Sequence, residues 1–233
     1  MNSSIKALEQ RIVLITGAAE GLGYELSLAL AEQGATIIIL DHQVPKLEKL
    51  YDTIVEAGFS EPAIYPMQLA GATQENFNEL ANTVQQTFGR LDGLIHNAAY
   101  LRSLTPLPNL ALNVWNETIQ VNLTAPFLLT QACLPMLKAA EKALLLFISD
   151  RVDTDNDNYA FRGAYGVSKA GLDELARTLK DEFEDSTGIS VISHDPGPML
   201  TSLRALIYPG QGANIPTAKE ALAPILSLVN NSL

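Results

Sequence analysis

The chain has 233 residues, 47% of them hydrophobic and 18% charged, enough apolar material for one large globular domain over 1–233, which excludes intrinsic disorder. Its 15 Lys and Arg against 26 Asp and Glu leave a net charge of −11, an acidic balance that repels nucleic-acid phosphates and anionic membranes and argues against either as a partner. Cys133 is the only cysteine, and no apolar run approaches the roughly 20 residues that span a bilayer, so a reducing cytoplasm is the expected setting.

In chain order, short apolar runs at 12–15, 36–40, 94–96, 144–148 and 189–193 have the composition of strands covered on both faces. Between them, 22–33, 75–88, 115–138 and 164–183 place apolar residues at helical spacing, with Pro126 and Pro135 expected to kink or break the third. A weaker strand at 63–69 contains Pro66 and belongs at a sheet edge, and 218–228 is a final helix. Strands alternating with helices predict right-handed βαβ units around a parallel sheet. Two stretches, Asp-rich 151–158 and Pro/Gly-rich 208–217, are loops of a length seen in lids and in plain surface excursions.

The first strand runs into Thr16-Gly17-Ala18-Ala19-Glu20-Gly21-Leu22-Gly23 and then a helix. Glycines at 17, 21 and 23 permit a tight turn, close approach to a pyrophosphate and close helix–strand packing, while the helix N-terminus offers unpaired N–H groups to the anion. Asp41 closes the second strand, 18 residues after Gly23. A carboxylate there can accept from a ribose diol and would repel a 2′-phosphate; His42 follows where an NADP site would favour Arg, so NAD is expected over NADP.

Tyr165 and Lys169 stand four apart on a predicted helix and share a face. A phenol of pKa about 10 is a poor base, and lowering it by three units takes about 4 kcal/mol, part of which a nearby ammonium supplies. A solvated Lys beside a half-buried Tyr is the alternative for such a pair in isolation.

The pair is not isolated. With Thr16 to Gly23, His96-Asn97-Ala98-Ala99, Asn122, Tyr165-x-x-x-Lys169, Pro196-Gly197 and Thr201 in order, the chain resembles the short-chain dehydrogenase/reductase family over nearly its whole length. Segments 91–97 and 127–131 most resemble the bacterial YciK-type branch. The resemblance implies that Tyr165 exchanges a proton with a substrate alcohol or carbonyl oxygen. Lys169 would bind the nicotinamide ribose and depress the Tyr165 pKa, and Asn122 would hold a water of the proton relay. It also implies cofactor contacts at Gly17, Ala19, Glu20, Gly21, Leu22, Gly23, Asp41, His42, Leu69, Asn97, Ala98, Ala99, Pro196, Gly197 and Thr201.

Three departures stand out. The family's catalytic Ser lies thirteen positions before the Tyr, which here is Val152; anchored on the fifth strand instead, that place falls to Asp150, with Ser149 one residue earlier. An ionised Asp150 would repel a developing oxyanion, and losing one such donor costs about 3 kcal/mol. Ser149 is therefore expected to take the role, the alternatives being a protonated Asp150 or impaired catalysis. Gln68 replaces an expected Asp near adenine, and the usual seventh strand has no sequence to form it. The expected fold is a Rossmann-type doubly wound parallel α/β sheet in the order 3-2-1-4-5-6, assembled as a homodimer through the helices around Asn122 and Ala170 rather than as a tetramer. Asp153, Asp155 and Asp157 mimic part of a calcium loop, but Asn158 and Ala164 stand where its Gly and Glu belong, so no metal is expected.

The leading function is an NAD-dependent oxidoreductase acting on a small alcohol or ketone. The alternative is a dinucleotide-binding protein with impaired or no catalysis, serving as a redox sensor or interaction module.

Overall fold

Every strand of the central sheet is apolar on both sides, and its alternation divides the core in two. Along β1 (Ile12–Thr16), Ile12 and Leu14 pack on one face while Val13 and Ile15 pack on the other. The same split runs along β2 (Thr36–Asp41), where Ile38 and Leu40 oppose Ile37 and Ile39. It recurs along β5 (Ala143–Ile148), where Leu145 and Phe147 oppose Leu144 and Leu146. Residues buried on both faces require cover on both faces. α1 (Gly21–Glu32), α2 (Val44–Glu56) and α8 (Leu222–Ser232) provide one cover; α3 (Gln74–Phe88), α5 (Ala125–Ala139) and α6 (Gly163–Phe183) provide the other.

The computed structural model describes residues 6–151, 160–183, 188–208, 210 and 215–233. With β3 (Ala63–Pro66), β4 (Gly93–His96) and β6 (Ile189–His194), the sheet has six strands in the order β3-β2-β1-β4-β5-β6, all pairs parallel. This is the doubly wound order expected. The chain reverses direction across the sheet between β1 and β4, which leaves a crevice at the strands' C-terminal ends. At the opposite end, the fully buried Asp92 accepts from Arg11 Nη1, Arg90 Nε and Ile12 N, each at 2.9 Å. Among the described residues, no helix is long and apolar enough to cross a membrane.

Four elements differ from the sequence expectation. No break occurs at Pro126 or Pro135: α4 (Leu112–Ile119) passes through a π turn (Gln120–Thr124) directly into α5. Pro126 has no N–H for the Asn122 carbonyl four residues back, and the backbone widens instead, with Ala125 N bonding Gln120 O five residues back. The edge strand stops at Pro66, and Leu69 lies in a 3₁₀ turn. The final helix starts at Leu222 rather than 218, because Glu220 Oε2 accepts from Thr217 N at 2.7 Å and holds 217–221 as a turn. Finally, α2 is not announced by any apolar run; it buries only Leu47, Leu50 and Ile54.

Candidate active site

At the crevice a cavity of about 1000 Å³ extends from the glycine loop to the start of α6. Its phosphate end is shaped by backbone. Gly17 and Gly21 have φ of 67° and 57°, a left-handed conformation that side chains other than Gly rarely adopt. A Cβ on Gly23 would stand 2.1 Å from the Gly17 carbonyl oxygen, so the helix can approach the loop only without one. Glu20, the residue preceding α1, makes no side-chain cap, and the helix has no acidic residue in its first turn. The opening N–H groups of α1 thus adjoin the cavity, the arrangement that holds a pyrophosphate, while the Glu20 carboxylate beside them is paired with Lys46.

Thr16 and Asn97 brace this loop. Asn97 Nδ2 donates to the carbonyls of Thr16 and Gly17, both at 3.0 Å, and the N–H groups of Asn97 and Ala98 both reach Thr16 Oγ1 at 3.1 Å. The Asn97 amide is therefore spent on the loop itself. Asp41, 8% exposed, accepts from Ala19 N at 3.3 Å and Gln43 N at 3.0 Å, with His42 Nδ1 3.1 Å from its Oδ1. Asp41, His42, Gln68 and Leu69 line the far end of the cavity, where an adenosine would lie, and Glu20 pairs there with Lys46. On the other side, Asp195 Oδ1 accepts from Gly197 N at 2.8 Å and sets the Pro196–Gly197 turn. Thr201 caps α7 (Ser202–Ile207) by accepting from Arg204 N at 3.1 Å, and its methyl group lies over Gly21.

Tyr165 and Lys169, each 3% exposed, share one face of α6 at the cavity floor. Lys169 Nζ donates to Ile148 O at 2.8 Å and lies 5.8 Å from the centre of the Tyr165 ring. Burial brings the Lys169 pKa down to about 8, against the attraction of Asp150, Asp173 and Asp195. The Tyr165 hydroxyl donates to Asp150 Oδ2 at 2.8 Å, and Arg162 Nη2 reaches the same oxygen at 2.7 Å. Burial first, then the Asp150 charge and hydrogen bond, push the Tyr165 pKa well above its ordinary value; Arg162 opposes them.

Sequence and structure part company at two residues here. Ser149, expected to take the donor role, has a buried hydroxyl that finds no partner among the described residues; its neighbour Asp150 meets Tyr165 instead. Both residues follow β5 and line the cavity, so a shift of one position decides which of the two reaches the tyrosine. Asn122, placed in the relay by resemblance, lies behind the cavity wall with its side chain fully engaged. It accepts from Tyr100 N at 2.7 Å and donates to Tyr100 O at 2.9 Å and Ser168 Oγ at 3.0 Å. Arg162 was not singled out by sequence; its position one helical turn before Tyr165 is the signal that could have found it.

Tyr100, Met199, Leu203 and Tyr208 line the cavity and give it apolar surface. Leu200 and Leu206 are exposed. The 151–158 loop lies outside the described residues beyond Arg151, including Asp153, Asp155 and Asp157.

The short chain dehydrogenase family model matches residues 11–212. The uncharacterized oxidoreductase YciK of Escherichia coli is 35% identical over 202 residues, covering 87% of this chain and 79% of that protein. A structure described as a short chain dehydrogenase from Pseudomonas syringae superposes with a TM-score of 0.90 at 36% identity, over 97% of this chain and 92% of that one. A short chain dehydrogenase from Shigella flexneri, solved in complex with NADP, superposes with a TM-score of 0.90 at 32% identity, over 97% and 93%. Fold, loop and family match agree: this chain belongs to the short-chain dehydrogenase/reductase family of oxidoreductases.

Proposed function

We propose that the chain exchanges hydride between NAD(H) and a small secondary alcohol or ketone, with Tyr165 handling the proton. The observation that carries this reading is the placement of Tyr165 and Lys169, both buried, on the floor of a cavity whose other end is the glycine loop. A bound nicotinamide supplies the hydride acceptor or donor. The chain supplies the rest. Gly17, Gly21 and the start of α1 hold the pyrophosphate, Asp41 takes the ribose diol, and Lys169, beside Tyr165 on the cavity floor, is placed for the nicotinamide ribose. Tyr100, Met199, Leu203 and Tyr208 give the substrate end an apolar wall that excludes water from the reacting oxygen.

The preference for NAD rests on Asp41, a carboxylate at the end of β2 lining the adenosine end, with His42 rather than Arg beside it to meet a 2′-phosphate. The Shigella flexneri relative is described with NADP and an Escherichia coli relative with NADPH, which leans the other way for the family at large. Fluorescence titration of the purified protein with NADH and NADPH separates the two. Tighter NADH binding supports the proposal; tighter NADPH binding overturns the Asp41 reading alone, and binding of neither overturns the whole. The exposed Leu112, Phe127 and Val167 on α4, α5 and α6 support assembly as a homodimer through these helices. A monomeric mass in light scattering would refute that part.

A further inference from the structure

We propose that Asp150 is the proton partner of Tyr165: it takes the phenol's own proton as the phenol takes one from a substrate hydroxyl, giving the reacting oxygen an outlet to solvent. The inference rests on the hydride-transfer reading above and adds to it the route of the proton and the favoured direction. Its basis is geometric. A phenol has one proton, and that of Tyr165 is committed to Asp150 Oδ2 at 2.8 Å. The lone pairs of Tyr165 are left for an incoming O–H, as a base requires. Asp150 as a carboxylate only accepts, and its side chain is 38% exposed, so a proton arriving there can pass to water.

Arg162 is the positioning residue. Only 12% exposed, it holds the same carboxylate oxygen at 2.7 Å and offsets its charge inside the cavity. The inner side offers fewer free groups. The Asn122 side chain is taken up by Tyr100 and Ser168, and Lys169 gives a hydrogen bond to Ile148 O. Ser149 makes no bond to Tyr165; Asp150 holds that place. The other charged groups facing this pair are Asp195 after β6 and Lys169 on α6, while Tyr208 at the end of α7 acts on Arg162.

In alcohol oxidation the steps balance as follows. The substrate O–H bond breaks as a new bond forms to Tyr165 Oη, and the old Tyr165 O–H bond breaks as one forms to Asp150 Oδ2. A nicotinamide held by the glycine loop would be the acceptor of the carbinol hydride, and Asp150 releases the proton to water. Ketone reduction runs the same path backwards and needs a protonated Asp150 first, so the resting arrangement is set for oxidation.

The test begins without cofactor or substrate. Tyrosinate absorbance is followed against pH in the wild type, D150N, D150E and Y165F, and subtracting the Y165F curve removes the other six of the seven tyrosines from the signal. The wild type should show no Tyr165 ionisation until well above pH 10, and D150N should show it at least about tenfold more readily, one pH unit lower or more. D150E, which restores the carboxylate, should move it back. Superimposable curves for wild type and D150N would overturn the inference. In turnover of a secondary alcohol with NAD, D150N should be about 100-fold slower than the wild type and D150E intermediate. Oxidation by D150N or D150S at or above the wild-type rate would also overturn it. Failure of every alcohol and ketone would refute the hydride-transfer reading, while the titration would still decide whether Asp150 governs the Tyr165 proton.

Discussion

The two ends of the cavity are built from different materials. Around the glycine loop the shape is set by backbone: two left-handed glycines, a third that admits no Cβ, and an asparagine amide that bridges consecutive carbonyls. Around Tyr165 it is set by a few ionisable side chains: Asp150, which bonds both the phenol and Arg162, and Lys169, 5.8 Å from the ring centre. The first end should fail when a single methyl group is added. The second should keep its shape under most substitutions and fail when one proton is misplaced.

Removing the phenol is the severest expected break. Y165F should lower turnover about 1,000-fold or more with NADH affinity within about twofold of wild type, measured by steady-state rates beside the fluorescence titration. A parallel loss of NADH binding would show that the two ends are not separable. The converse break is G23A. Its methyl would meet the Gly17 carbonyl oxygen at 2.1 Å, and it should cost about 3 kcal/mol of stability together with most of the NADH affinity. Denaturant unfolding and titration would read both, and an unchanged affinity would refute the backbone account of that end.

A third prediction concerns Lys169, whose folded pKa of about 8 lies below the ordinary lysine value near 10.5. A depressed lysine binds fewer protons folded than unfolded between those values, so stability rises as pH goes up through them. Relative to K169M, the wild type should gain about 3 kcal/mol in unfolding free energy between pH 7.5 and 10.5. A flat difference would mean that the ammonium is solvated rather than buried. The smallest effect belongs to D41S, which should shift the NADH to NADPH affinity ratio about tenfold towards NADPH, about 1.4 kcal/mol. No shift would remove Asp41 from cofactor choice.

How much of this was legible in sequence follows the same division. Glycines that must be glycines announce themselves, because few other reasons put three of them between an apolar strand and a helix. Alternation of strand and helix predicted the parallel sheet, the family resemblance implied its order, and the order observed is the one expected. By contrast, Ser149 and Asp150 are neighbours in sequence and both line the cavity, and no pattern in the sequence fixes which one meets Tyr165 across a loop of changed length. Pro126 signalled a break, yet the chain had a third option, a widened turn, that depends on its neighbours' packing. Helix α2 was legible in its pattern, for Leu47, Leu50 and Ile54 stand at helical spacing, and it was overlooked rather than hidden.

The amide that Asn122 captures has a consequence for motion. Tyr100 sits outside any regular element, where N–H groups ordinarily face water and trade hydrogen for deuterium within seconds. Here that N–H is bound at 2.7 Å by a side chain that is itself fastened to α6 through Ser168. The Tyr100 amide should therefore exchange at a rate typical of the sheet interior, and the loop entering the substrate pocket should behave as a rigid ledge rather than a flap.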